Sequence, residues 1–315
     1  MGEVGPSVMM LGLIGDSASG KSTLAGGVID LLGAEQVRDL CLDDYHRFDR
    51  AERDHRRITA LHPDCNRLDL LKEHLNALRH GRTVRKPVYD HRTGTFAVDE
   101  ELAPAPVVVA HGLLGLHDEE LRRSYDLSVF LDPDPALRVE WKVRRDCATR
   151  GYSPAEVAAQ LAMRRADAER FVRPQRDRAD IVLTFAPATS GSLDAALNLR
   201  MLFRARARHG ALERALQEAA EALPTSQSAR RVALAEEGET LVLDASAAMT
   251  WDDESAIADR LSRITPSRLG RPRPGAPERV PPSPPLALAQ LLVAVHANRV
   301  AAAATTSVNA VLANS

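Results

Sequence analysis

Apolar residues run unbroken over positions 8–14, stop at a glycine loop, and resume at helical spacing through "KSTLAGGVIDLLG", which Gly33 closes. A second strand is predicted over 36–42, ending in "DDYH". The leucines of "LDLLKEHLNALRH" (68–80) predict a helix stopped by Gly81. Short apolar runs at 107–110, 127–131 and 180–185 read as buried strands, and 135–149 and 154–171 as helices between them. Strands alternating with helices predict an α/β fold: a mainly parallel sheet with helices on both faces. After about residue 186 the pattern changes. Residues 193–223 predict one long amphipathic helix weakened at Gly210, and "RRVALAEEGETLVLDA" a hairpin turning at 236–239. A short helix over 253–264, a proline-rich segment over 266–285 and a final helix complete the chain. Two domains are therefore expected: residues 1–190, and a smaller α+β C-terminal extension over 191–315.

With 44% apolar residues among 315, the chain can bury a real core, and aromatics at 4% leave that core to Leu, Val, Ile and Ala. A net charge of −2 removes the electrostatic footprint of a general nucleic-acid binder. Cys41, Cys65 and Cys147 form neither a disulfide framework nor a zinc-ligand spacing, so a reducing, cytoplasmic setting is expected. No leader pattern opens the chain. Gln290, His296, Asn298 and Arg299 interrupt the late apolar stretch 286–304, so no membrane partner is expected. A homo-oligomer is left open.

The glycine loop carries chemistry. Gly15, Asp16, Ser17, Ala18, Ser19, Gly20, Lys21 and Ser22 match G-x-x-x-x-G-K-[ST] between a predicted strand and a predicted helix, with Thr23 beside them. Backbone N–H groups of such a loop, with the helix N-terminus, cradle phosphates. Lys21 is placed to reach the β- and γ-phosphates of ATP and Ser22 to ligate Mg²⁺. The bland alternative, a chance glycine-rich turn, has the strand–helix context against it. Acidic Asp43 and Asp44 stand at the end of the second strand, where ligands bind in open α/β sheets. Strand alternation sends them different ways, so one serves as a general base and the other caps or orients. Arg50, Arg53, Arg56 and Arg57 follow; some can grip a dianionic phosphate, and at least two are assigned to a solvated face. Arg144, Arg145, Arg150, Arg164 and Arg165 lie on two helices expected to close over the nucleotide.

"GDSASGKST", "CLDDYHRFDR", "TALHPDCNRLDLL", "KPVYDHRTG", "FLDPDPALRVEWKVRRDCATRGYS" and "RRADAERFVRPQRDRAD" follow one another as in phosphoribulokinases, and the chain resembles that family over about residues 8–186. The wider group includes uridine kinases. The tail resembles the C-terminal part of the plant and cyanobacterial form only loosely. The resemblance implies a P-loop NTPase-type kinase using ATP and Mg²⁺ to phosphorylate the C1 hydroxyl of D-ribulose 5-phosphate. It makes Asp43 the catalytic base, Arg50 a ligand of the sugar phosphate, and His91 a substrate contact with Tyr89 in the same segment. It also puts Asp167 near the metal or the transferred phosphoryl group, so the expected metal set is Ser22, Asp43 and Asp167.

Two departures stand out. Where the family has a Walker-B glutamate in Glu-Gly-Leu-His-Pro, this chain reads "HGLLG", with His111 in the glutamate's place. A neutral imidazole is a poor Mg²⁺ ligand. Three accounts compete: other carboxylates (Asp43, Asp44, Asp167) hold the metal with water, a more nitrogen-tolerant ion such as Mn²⁺ is used, or turnover is weak and the protein is a nucleotide-binding regulator. The first is favoured, because base, lysine and substrate arginine all remain. The phosphate loop also carries Ser19 and no cysteine, so it cannot form a disulfide with Cys41, which is expected to be a buried strand residue. A uridine-type nucleoside, or another sugar phosphate, is the alternative acceptor.

Overall fold

The computed structural model describes residues 8–189, 196–223, 231–265, 269 and 283–313, with 304–313 for backbone only. In chain order, β1 (Met9–Gly15) leads through the glycine loop into α1 (Lys21–Leu32) and then β2 (Val37–Cys41). Next come α2 (Arg50–Arg56), α3 (Leu68–Arg79) and four short strands: β3 (Val84–Lys86), β4 (Tyr89–Asp90), β5 (Thr95–Phe96) and β6 (Glu100–Leu102). The core resumes with β7 (Val107–Gly112), α4 (Glu119–Arg123), β8 (Leu127–Leu131), α5 (Pro135–Arg150), α6 (Pro154–Asp167) and β9 (Ile181–Pro187). Then follow β10 (Leu197–Phe203), α7 (Gly210–Ala222), β11 (Val232–Glu237), β12 (Thr240–Ala245), α8 (Trp251–Ser262) and α9 (Pro284–Ala313).

One eight-stranded sheet runs β11-β12-β10-β9-β8-β1-β7-β2. From β2 to β9 the strands are parallel, whereas β10, β12 and β11 add antiparallel to that edge. Both faces are covered. In β1, Met9, Leu11 and Leu13 join a core with α1, α7, α8 and α9, while Met10 and Ile14 join one with α3 and α4. A strand buried on both faces needs no polar alternation, which is why it reads as a continuous apolar run.

The expected single helix over 193–223 is corrected. Residues 197–203 form β10 and only 210–222 are helical. Leu199, Met201 and Phe203 are buried at a period of two, which a helical reading of the same leucine-rich window conceals. The exposed edge of β9 supplies the hydrogen-bonding partner that decides between the two. The helix expected to run to 171 ends at Asp167, where the backbone widens into a π-turn over Ala168–Val172. Most of the proline-rich segment lies outside the described residues.

Pro284–Ala303 is long and apolar enough to cross a membrane, with mean hydropathy 1.4, yet here it packs along α1 against the sheet. Its polar interruptions have partners: Gln290 Nε2 donates to the Thr23 carbonyl (3.0 Å), and Arg299 Nη1 to the Ile264 carbonyl (2.7 Å). His296 is buried, its ring stacked on Phe203 and its nitrogens facing the Leu292 and Ala207 carbonyls. Leu292, wholly buried in this contact, reports on it. Leu292→Ala should lower the free energy of urea unfolding by about 2–5 kcal/mol; an unchanged midpoint would mean that α9 contributes nothing to the core.

Candidate functional site

β1 ends at Gly15, where a β-carbon would lie 2.7 Å from both the Leu131 carbonyl and Ser19 Oγ, so no larger residue fits. The loop then turns through left-handed conformations at Ala18 (φ 62°) and Gly20 (φ 93°) before α1 starts. Lys21 folds back over this turn, donating to the Gly15 (3.0 Å) and Asp16 (2.7 Å) carbonyls. Burial pushes its ammonium below its ordinary pKa, against the pull of Asp43 and Asp16. Ser22 is exposed on the first turn. Two arginines of α5 brace the loop: Arg138 Nη1 pairs with Asp16 (3.0 Å), and Arg145 Nη2 donates to Ser17 Oγ (3.2 Å).

After Cys41 the chain tightens into a 3₁₀ turn over Leu42–Tyr45, which separates the two aspartates. Asp44 is buried; it accepts from Lys86 Nζ (2.6 Å) and from the Tyr89 N–H (2.9 Å). Asp43 points instead into the cleft. Burial alone would raise its pKa, but His46, His91 and His111, each in so far as it is protonated, together with Lys21 outweigh that and hold the carboxyl below its ordinary value. Asp43 is thus an ionised acceptor at neutral pH. Its Oδ2 lies 3.8 Å from His91 Nε2.

α2 begins with a capping box between Asp49 and Glu52. Arg50 Nη2 donates to the His91 carbonyl (2.6 Å), and Arg50 packs on Gly94, where φ is 81° and a β-carbon would come within 2.7 Å of the guanidinium. Arg53 is buried and donates to the Tyr89 hydroxyl (2.6 Å). Arg56 and Arg57 are exposed, so two of the four arginines lie on the solvated face. The structure thus brings Lys21, Asp43, His91, Arg50, Arg53 and Tyr89 together. Asp167 accepts from Thr59 Oγ1 (2.6 Å), and among the described residues no hydrogen bond or ion pair links Ser22, Asp43 and Asp167 to one another.

Of the five arginines on α5 and α6, Arg144 and Arg165 are exposed and paired with Glu140 and Glu169. Arg145 and Arg150 converge on buried Asp146, which also holds Lys142 (2.5 Å). Arg164 faces the cleft. Its charge is felt by Arg53, Asp16, Asp146 and Asp43, and among the described residues its buried Nε has no hydrogen-bond partner. Sequence reasoning placed Arg164 on the covering helix without singling it out, although it lies one helical turn before Asp167. Lys86 was missed altogether; the only signal was a lysine inside "KPVYD". Cys41 is half-buried at the cleft rather than a core residue. His111 of β7 stands beside Cys41, and its Nε2 is held by Asp39 of β2 at 2.9 Å.

Residues 10–191 match the sequence profile of the Phosphoribulokinase / Uridine kinase family. The chain belongs to this family. Phosphoribulokinase of Synechocystis sp. is 38% identical over 180 residues, 57% of this chain and 54% of that protein. Chloroplastic phosphoribulokinase of Arabidopsis thaliana is 34% identical over 198 residues, 58% of this chain and 50% of that protein. A uridine kinase of Chloroflexus aggregans is 34% identical over 179 residues, 55% of this chain and 85% of that protein. The chain therefore spans about half the length of the curated phosphoribulokinases it matches. Among solved structures, phosphoribulokinase from Rhodobacter spheroides shares the fold, with TM-score 0.60 at 18% identity, over 82% of this chain and 96% of that one.

The family site contains a titration that stability measurements can read. His46 is buried, its Nδ1 2.9 Å from Asn66 Oδ1, and burial lowers its pKa from 6.5 to about 4. The folded protein holds it neutral while the unfolded chain protonates it, so stability is lost as pH falls from the unfolded value towards the folded one. Between pH 7 and pH 5 this group alone should remove about 2 kcal/mol. Urea midpoints of the wild type and His46→Asn should converge as pH drops; parallel curves would mean that His46 is not held neutral.

Proposed function

We propose that the chain is an ATP-dependent kinase that phosphorylates D-ribulose 5-phosphate at its C1 hydroxyl, giving ribulose 1,5-bisphosphate and ADP. The observation that carries this reading is the position of Asp43. It stands between Lys21 of the phosphate loop, on the donor side, and His91, with Arg50 and Arg53 behind it, on the acceptor side. The carboxylate accepts the proton of the acceptor hydroxyl as that oxygen attacks the γ-phosphorus. Lys21, Arg145 and Arg164 face the charge that develops on the transferred group, and the loop N–H groups hold the phosphates. Arg50 and Arg53 grip the dianionic end of the acceptor, whose charge a nucleoside lacks. That difference, and the phosphoribulokinases among the relatives, favour the pentose phosphate over uridine.

The donor set suits Mg²⁺: the Ser22 hydroxyl and the Asp43 carboxylate are hard oxygen ligands. When bound there, Mg²⁺ would offset the negative charge of the terminal phosphates. Asp167 is kept as a candidate only if α6 closes further over the cleft, since Thr59 occupies one of its oxygens. His111 offers nitrogen, and its Nε2 is engaged by Asp39, so it supplies no carboxylate in place of the family's glutamate. In domain terms, residues 1–190 carry the transfer and 191–315 buttress it through α9 on α1.

A coupled assay of ADP release, with ribulose 5-phosphate and uridine as rival acceptors, should show turnover with the pentose phosphate. Turnover with uridine alone overturns the assignment, and silence with both favours a nucleotide-binding regulator. Asp43→Asn should lower kcat by about 10²–10⁴-fold while the KM for ATP stays near that of the wild type; full activity would put the base elsewhere.

If the missing carboxylate limits the rate, His111→Glu should raise kcat in Mg²⁺ by about tenfold or more, on the scale of other electrostatic groups. A fall in rate would show a site rebuilt around the Asp39–His111 pair.

A further inference from the structure

The cleft holds a second set of ligands that the proposed transfer does not use as a set. Cys41 Sγ, a carboxylate oxygen of Asp43 and a ring nitrogen of His91 lie within 4.8 Å of one another, all on half-buried residues. They come from three separate places: the end of β2, the 3₁₀ turn after it, and the β4–β5 turn. No ligand spacing along the chain announces them. We propose that Cys41, Asp43 and His91 form a binding site for a zinc-class divalent cation.

The donor chemistry decides the class of ion. One thiolate, one imidazole and one carboxylate are the ligands of tetrahedral zinc, with a fourth position left open; Mg²⁺ wants oxygens only. The geometry is near what zinc needs. Two ligands about 2.0 Å from zinc at tetrahedral angles lie ~3.3 Å apart, and His91 Nε2 is already 3.8 Å from Asp43 Oδ2. Binding draws the three ligand atoms, now within 4.8 Å of one another, closer by on the order of an ångström.

The set is also held in place. The His91 carbonyl accepts from Arg50, and the His91 ring packs edge-on against Tyr89 at 5.1 Å. Tyr89 in turn is tied by its N–H to Asp44, next in the chain to Asp43. On binding, the Cys41 thiol proton leaves to solvent and bonds form to sulfur, nitrogen and oxygen with no change in oxidation state. Thiolate and carboxylate together offset the charge of the ion. Lys21, Arg145 and Arg150 oppose it, so the affinity should be moderate and reversible.

One consequence rests on the kinase reading: an ion tied to Cys41, Asp43 and His91 together fills the His91 side of the base, which Mg²⁺ held with Ser22 leaves open, and stops transfer. Zinc would then be an inhibitor acting at the base, reversed by a chelator.

Binding is measured first and without reference to activity. The metal-free full chain is titrated with Zn²⁺ against a chromogenic chelator, and with Co²⁺ followed by absorption. One equivalent should bind, and Co²⁺ should give the thiolate charge-transfer band. Cys41→Ser should weaken binding by about 10–100-fold, while Cys147→Ser leaves it unchanged. The wild-type cobalt spectrum needs no variant to fold, and its lack of a thiolate band would overturn the site. Equal zinc affinity for the wild type and Cys41→Ser would overturn it too. Under buffered free Zn²⁺, turnover of the wild type should fall and that of Cys41→Ser should persist. A zinc-loaded wild type that turns over undiminished would overturn the inhibitory role. Silence of the zinc-free enzyme, resupplied with Mg²⁺, with every acceptor would strike the kinase reading instead and leave the binding result standing.

Discussion

The buried pair between Lys86 and Asp44 is the constraint from which the acceptor side of the cleft follows. At 2.6 Å, with both side chains almost wholly covered and Glu100 as a second partner of Lys86 at 2.7 Å, it joins the end of β2 to the β3–β6 and β4–β5 hairpins. Burial works against the Lys86 ammonium, but the hydrogen bonds to Asp44 and Glu100 leave its pKa raised. Removing one partner of such a pair costs about 3–5 kcal/mol, because a charge is left without water or counter-ion. Asp44 spends its other oxygen on the Tyr89 N–H. Both of its acceptors are occupied by structure, and Asp43 is left as the carboxylate that faces the cleft.

The donor side depends on a different economy of space. β1 is buried on both faces up to Gly15, so the turn into α1 is made without room for side chains, and backbone N–H groups line it. α9 then packs along α1 from behind, with Gln290 reaching the Thr23 carbonyl at the first turn. The last helix of the chain thereby touches the element that carries the phosphate lysine. The antiparallel strands β10, β12 and β11 continue the same sheet rather than forming a layer of their own. The phosphate loop and the C-terminal residues therefore share one core.

Legibility differed between these regions for physical reasons. The phosphate loop, β1, β2 and β7 were readable because their constraints are local: a strand covered on both faces is apolar throughout, and a loop around phosphate requires glycine and lysine at set spacings. Arg50 and Arg53 were readable as a basic group, but burial alone separated them from Arg56 and Arg57. β10 was hidden because Leu197–Phe203 satisfies both a helical and an alternating pattern, and its choice depends on the edge of β9. Lys86 and Arg164 were illegible because a single charged residue carries no period, and the charges that act on it are more than forty residues away (Asp44 on Lys86) or on other elements (Asp16 and Asp43 on Arg164).

The sequence by itself determined the phosphate loop, the alternation that makes a parallel sheet, the acidic pair at the second strand's end, and the histidine in the apolar run of β7. Each is a property of neighbours along the chain, enforced by backbone geometry and burial. Which aspartate faces the cleft, which arginines do, where His111 is held and that Cys41 meets His91 were decided only in three dimensions. Those outcomes depend on which distant partner removes a charge or a hydrogen-bonding group from water, and that partner is known only once the sheet has brought it near.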